Sequence, residues 1–136
     1  MDMIERRAAQ RFAVNLSARV QLAESDTLSV TIIDISATGL AIELLAEQLP
    51  AIFPNQLRQN VIDTVKLPIQ LTLPDPSLPV SFIAGAVYLR RMNHIKFSLG
   101  CRFESFADNS ADNLATYLFE LSTGGQPSPL TIPFQL

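Results

Sequence analysis

From Val14 to Gln21 apolar and polar residues alternate, Val14, Leu16, Ala18 and Val20 against Asn15, Ser17, Arg19 and Gln21. That is the period-two pattern of a strand with one buried face. A turn over Ala23 to Thr27 leads into Leu28 to Ile35, a segment dense in the β-branched residues that suit a pleated surface. It ends where Asp34, Ser36 and Gly39 punctuate the chain, and Leu40 to Leu45 resumes as a strand beyond them. Pro68 to Leu73, Val80 to Leu89 and Ile95 to Glu104 bring the predicted strands to about six. Pro74-Asp75-Pro76-Ser77 is a turn, and Arg90 to His94 forms a hairpin loop with exposed charge. Residues 46–66 are helix-friendly but interrupted by Pro50 and Pro54, which predicts a loop holding one or two short helical turns.

Only Asp108 to Ser122 carries a helical period. Leu114, Tyr117, Leu118 and Leu121 recur on one face, Ser110 or Asp112 can cap the start, and Gly124-Gly125 ends it. Strands crowded between turns and followed by one helix predict a mainly β fold, a closed or nearly closed antiparallel barrel with a C-terminal α-helix. Residues 1–12 show neither period and read as a flexible arm, 13–122 as the folded domain, and 123–136 as a Pro-rich apolar tail, either disordered or laid over an apolar groove.

Composition narrows the function classes. A chain of 136 residues fits one domain with a core of its own and leaves no room for a second. No apolar run reaches the ~18 residues of a membrane helix, the start lacks a secretory leader, and one cysteine excludes an internal disulfide. A soluble, cytoplasmic protein without membrane insertion is the expectation. The net charge of −3 and pI near 5.0 argue against a broad grip on nucleic acid, which needs many phosphate contacts. Yet Arg6, Arg7 and Arg11 crowd the first eleven positions, a local cluster suited to a ligand with few phosphates. Read alone, such a cluster is more often a solvated basic tail.

A second motif changes that balance. Arg7 to Arg11 spells RxxxR, Asp34 to Gly39 spells DxSxxG, and Leu99-Gly100-Cys101-Arg102-Phe103 places a Gly shortly before Phe in a late strand. Each is common alone; their order, separation and flanking strand together resemble the PilZ family, from about Glu5 to Leu121. The resemblance implies a six-stranded PilZ-type β-barrel followed by a helix, and a receptor for cyclic di-GMP that is not an enzyme and needs no cofactor. Arg6 stands before RxxxR, where an arginine is associated within the family with two stacked ligand molecules per chain. The chain departs from a minimal family member in its 46–66 loop and its tail, which bear on a partner surface more than on the ligand site.

The residue chemistry fits such a ligand. The guanidinium forks of Arg7 and Arg11 can each place two N–H bonds on a phosphate or on guanine, or stack on a purine. Asp34 can accept from the adjacent guanine N1–H and N2–H₂, and the Ser36 hydroxyl can bond phosphate or base. Gly39 permits positive φ and leaves no Cβ against a flat base. The plainer alternative is that Asp34, Ser36 and Gly39 only close a turn. Tyr88 could stack on a base or simply pack; Arg90 and Arg91 are solvated or belong to a partner surface; Cys101 reads as a small core residue. One histidine, His94, excludes multi-imidazole metal sites, and no Walker loop, G-x-S-x-G or paired-cysteine motif is present. The sequence thus predicts a non-catalytic effector whose arm orders on cyclic di-GMP and relays the signal to a protein partner. The alternative is a PilZ-like interaction module that binds no nucleotide.

Overall fold

The computed structural model describes residues 9–23, 25–53, 65–74 and 76–124. Six strands, β1 (Phe12–Ala23), β2 (Asp26–Ile35), β3 (Gly39–Leu45), β4 (Lys66–Leu73), β5 (Leu78–Arg91) and β6 (Lys96–Phe106), close into an antiparallel barrel in the order β1-β2-β3-β6-β5-β4. A 3₁₀ turn at Ala46–Gln48 runs into a helical turn, α1 (Leu49–Ile52), and the last described element is the helix α2 (Ser110–Thr123). The mainly β reading and its terminal helix therefore hold.

The alternation seen in the sequence becomes the division between core and solvent. Along β4 exposed and buried residues alternate without a break from Lys66 to Leu73. Val20, Ile32, Ile42, Ile69, Leu73 and Leu99 meet in the interior with 1% or less of their surface exposed, each contributing about 1.5–3 kcal/mol by leaving water. The barrel is closed unevenly. β3 and β6 pair along seven residues of β3, Gly39 to Leu45, whereas β1 and β4 meet only at Arg19–Gln70 and Val20–Ile69.

Several boundaries differ from the sequence reading. Phe12, assigned to the arm, opens β1 with its ring buried, because it pairs with Ile35 across the ladder. The turn expected over Ala23 to Thr27 is tighter, since Ala23 and Asp26 are already paired. β5 runs past Leu89 because Arg90 and Arg91 pair with Ser98 and Phe97, and backbone pairing does not require apolar side chains. The start of α2 is also different: Asn109 is the N-cap residue and no side chain caps it. The Ser110 hydroxyl instead accepts the Ser81 amide at 2.8 Å, and Asn113 Nδ2 donates to the Pro79 carbonyl at 2.7 Å, fixing α2 to β5. Gly124 ends the helix at φ 74°, the left-handed conformation that glycine adopts without strain. Arg6 and Arg7, the rest of the arm before Ala9, residues 54–64 and the tail from Gly125 lie outside the described residues.

Candidate ligand-binding site

Three irregularities in the ladders build one end of the barrel. The β1–β2 register shifts between Ala13 and Leu16, the β2–β3 register between Ile32 and Asp34, and the β5–β6 register between Ala86 and Tyr88. An extra residue in one strand re-aims the side chains beyond it. Ile32 and Ile35 are consequently both buried although three apart, leaving Asp34 at the rim; Val87 and Tyr88 are both exposed although adjacent.

Arg11, just ahead of β1, meets Asp34 at the end of β2. Its Nε and Nη2 donate to the same carboxylate oxygen, Oδ2, at 3.2 and 3.1 Å. The pair is open to solvent, the side chains being 57% and 30% exposed, so it contributes ~1 kcal/mol at most. The other oxygen, Oδ1, is buried and has no hydrogen-bond partner among the described residues. A carboxylate with one orphaned lone-pair face is poised to accept a further donor, because an unmet buried acceptor costs about 1–3 kcal/mol.

The Asp34-to-Gly39 turn is held from within. Ser36 is buried, and its hydroxyl accepts the Thr38 and Gly39 amides, both at 3.2 Å, while the Ser36 amide donates to the Gly39 carbonyl at 2.9 Å. The Phe103 amide donates to the Thr38 carbonyl at 3.0 Å, tying the turn to β6. Gly39 does not use positive φ, contrary to the expectation; among the described residues Gly124 is the glycine that does. Its absent side chain serves another end, since a Cβ there would overlap the Cys101 carbonyl of the neighbouring strand.

Between these parts lies a cleft of about 190 Å³ lined by Arg11, Ser36, Thr38, Gly39, Leu40, Val87, Tyr88, Gly100, Cys101 and Arg102. The Tyr88 ring lies over Gly100, where any Cβ would overlap it, so the gap left by one residue sets the position of a half-open aromatic face. Arg102 was not singled out from the sequence. It stands on the opposite face of β6 from Cys101, with Nη2 3.0 Å from Glu104 Oε2, which also takes the Lys66 ammonium at 2.8 Å. Hydrogen bonding from Lys66 is the largest influence on the Glu104 carboxyl; desolvation opposes it, and the charges of Lys66 and Arg102 add to it, so the group is held below its usual range. Cys101 forms the inner wall; burial pushes its thiol up to about 12 and leaves it an apolar wall rather than a nucleophile. The structure thus brings together Arg11, Asp34, Ser36 and Gly39 from the sequence reading, places Tyr88, there weighed as either stacking or packing, in the same cleft, and adds Arg102. It sets Arg90, Arg91 and His94 apart, at the far end of the β5–β6 hairpin. The cation pair, aromatic face and free carboxylate oxygen can chemically accommodate a ligand that is both anionic and planar.

A closed six-stranded antiparallel barrel with a terminal helix and a cleft at its DxSxxG turn defines the structural class. The PilZ domain model matches residues 5–120, and the chain belongs to the PilZ family. Similar solved structures include the Bacillus subtilis inhibitor of motility MotI/DgrA (TM-score 0.65, 15% identity, 87% of this chain and 52% of that one). The Borreliella burgdorferi PlzA protein in complex with c-di-GMP aligns at TM-score 0.58 and 16% identity, over 92% of this chain and 56% of that one. The PilZ domain of Escherichia coli YcgR with c-di-GMP aligns at TM-score 0.62 and 15% identity, over 90% of this chain and 95% of that one. The chain thus spans about half of the MotI and PlzA chains and nearly all of the isolated YcgR domain. No curated protein matches the sequence. Among the described residues no helix is long and apolar enough to cross a membrane, and no group of His, Cys, Asp or Glu could hold a metal ion.

Proposed function

We propose that the chain is a non-catalytic cyclic di-GMP receptor acting in the cytoplasm, with Asp34 reading guanine and the arginines of RxxxR taking the phosphates. The observation that carries this reading is the Asp34 carboxylate, whose Oδ1 is buried without a partner among the described residues, beside a guanidinium at the rim of a cleft with an aromatic wall. Membership of the PilZ family and the c-di-GMP complexes of PlzA and YcgR support it.

In this mechanism the Arg11–Asp34 pair is exchanged rather than simply broken. Guanine N–H donors replace Arg11 on Asp34, and Arg11 turns to a phosphate, where its planar fork makes stronger charge-assisted bonds than in an exposed ion pair. Arg6 and Arg7, which lie outside the described residues, supply further counter-charge, and the arm orders because the phosphates offset repulsion among three guanidiniums. Ser36 holds the turn, Gly39 admits it against β6, and Tyr88 offers a stacking face. The ordered arm is then the surface a protein partner reads.

Titration calorimetry with cyclic di-GMP, against cyclic di-AMP and GTP, tests this. Selective binding of two molecules per chain is expected, the second through Arg6. One molecule per chain would remove that role from Arg6, and no heat with any of the three would overturn the receptor reading in favour of an interaction module.

A further inference from the structure

The strands that wall the cleft continue away from it into a hairpin with a different chemistry. From Pro76 to Phe103 the chain has no Asp or Glu, yet it carries Arg90, Arg91, Lys96 and Arg102, a positive stretch in an acidic protein. At the hairpin's end Met92 and Ile95 are 46% and 59% exposed, and Leu45 lies beside them, 36% exposed, because the Ala46 amide donates to the Ile95 carbonyl at 2.8 Å.

This tip is rigid. Asn93 Oδ1 accepts the Ile95 and Lys96 amides, both at 2.9 Å, and the Met92 amide donates to the Lys96 carbonyl at 2.8 Å. Arg91 donates through Nε to the Asn93 carbonyl at 3.1 Å and through Nη2 to the His94 carbonyl at 3.4 Å, with its guanidinium 5.6 Å from the Phe97 ring centre. Neither Arg91 nor Arg90 is paired with a carboxylate among the described residues. Lys96 faces Glu43 at 3.7 Å, and Glu47 stands exposed on the adjoining 3₁₀ turn, so the uncommitted positive charge rests on the two arginines.

We propose that the tip of the β5–β6 hairpin is a docking surface for an acidic, amphipathic segment of a partner protein. Charge complementarity selects the occupant: two unneutralised guanidiniums require carboxylates, and exposed methionine and isoleucine require an apolar face between them. Arginine and methionine are enriched at interface centres, and the hydrogen-bonded backbone of the tip and the braced Arg91 guanidinium leave less entropy to be lost on binding. A lipid surface fits less well, because Asn93 and His94 form the apex and would be first into hydrocarbon. The surface stands on its own observations and does not depend on cyclic di-GMP occupying the cleft.

The test is an NMR titration of the isotopically labelled full chain with a synthetic helical peptide bearing glutamates on one face and leucines on the other. Controls are the same peptide with lysine for glutamate, and vesicles of phosphatidylcholine and phosphatidylglycerol in equal parts. Shifts confined to residues 90–96 and 45–46 with the acidic peptide are expected. Arg90→Glu and Met92→Ser, whose side chains make no hydrogen bond or ion pair among the described residues, should each weaken binding by about tenfold, the usual scale for an interface anchor. Equal binding of the lysine peptide, a footprint elsewhere, or unchanged affinity in both variants would overturn the proposal. Vesicle binding through residues 90–96 without peptide binding would overturn it in favour of a membrane surface. Repeating the titration with cyclic di-GMP present separates this result from the receptor reading, since either can fail alone.

Discussion

Asp34 carries two different environments on one side chain, Oδ2 answered by Arg11 in solvent and Oδ1 buried and, among the described residues, unanswered. In the receptor mechanism both oxygens face guanine donors, so Asp34→Asn, which keeps the shape but retains one acceptor, should weaken cyclic di-GMP binding by about 1.5–3 kcal/mol. Calorimetry returning the parent affinity would remove Asp34 from base recognition. Cys101 provides a second test through its buried thiol, pushed up to about 12 from 9.0. The folded state disfavours the thiolate, so this contribution to stability is full below about pH 9 and is lost as pH rises towards 12, where unfolding releases a proton. Urea midpoints measured at about pH 8 and about pH 10.5 should therefore fall more for the parent than for Cys101→Ala; equal falls would mean that the thiol ionises as easily folded as unfolded.

At the scale of elements, pairing and docking matter more than capping. The helix period in Leu114, Tyr117, Leu118 and Leu121 was legible because those residues share a face, and Leu114 and Leu121 are indeed buried. What Ser110 does was not legible, since its partner, the Ser81 amide, is distant in sequence. Ser110→Ala should cost about 1–3 kcal/mol, the penalty of leaving a partly buried amide without its acceptor, and should lower the urea midpoint. An effect as small as that of losing an exposed cap would show that water replaces the hydroxyl. The ladder shifts at Ile32–Asp34 and Ala86–Tyr88 were equally hidden. Strict alternation would put neighbouring residues on opposite faces, and only pairing with another strand reveals where an extra residue is accommodated.

For the whole molecule, the proposed mechanism divides the work between a barrel that supplies the rim and an arm that supplies the charge. Its β2–β3 turn and late strand are locked together by the Thr38–Phe103 hydrogen bond, so a ligand there meets a preformed wall. On binding cyclic di-GMP, amides in residues 1–11 should gain hydrogen-exchange protection while β3 and β6 change little. Identical protection of the arm with and without ligand would count against the ordering mechanism. The two-pair contact between β1 and β4 is where the closed sheet is least continuous, and it lies away from the cleft.

The sequence by itself determined the number of strands, the terminal helix and the identity of the RxxxR and DxSxxG segments, because these depend on local periodicity and on residues close along the chain. Only the tertiary structure decided that Arg11 holds Asp34, that Gly39 yields to the Cys101 carbonyl, and that Tyr88 and Arg102 join the cleft. Those relations arise between strands distant in sequence, where register and bulges, rather than composition, choose which atoms meet.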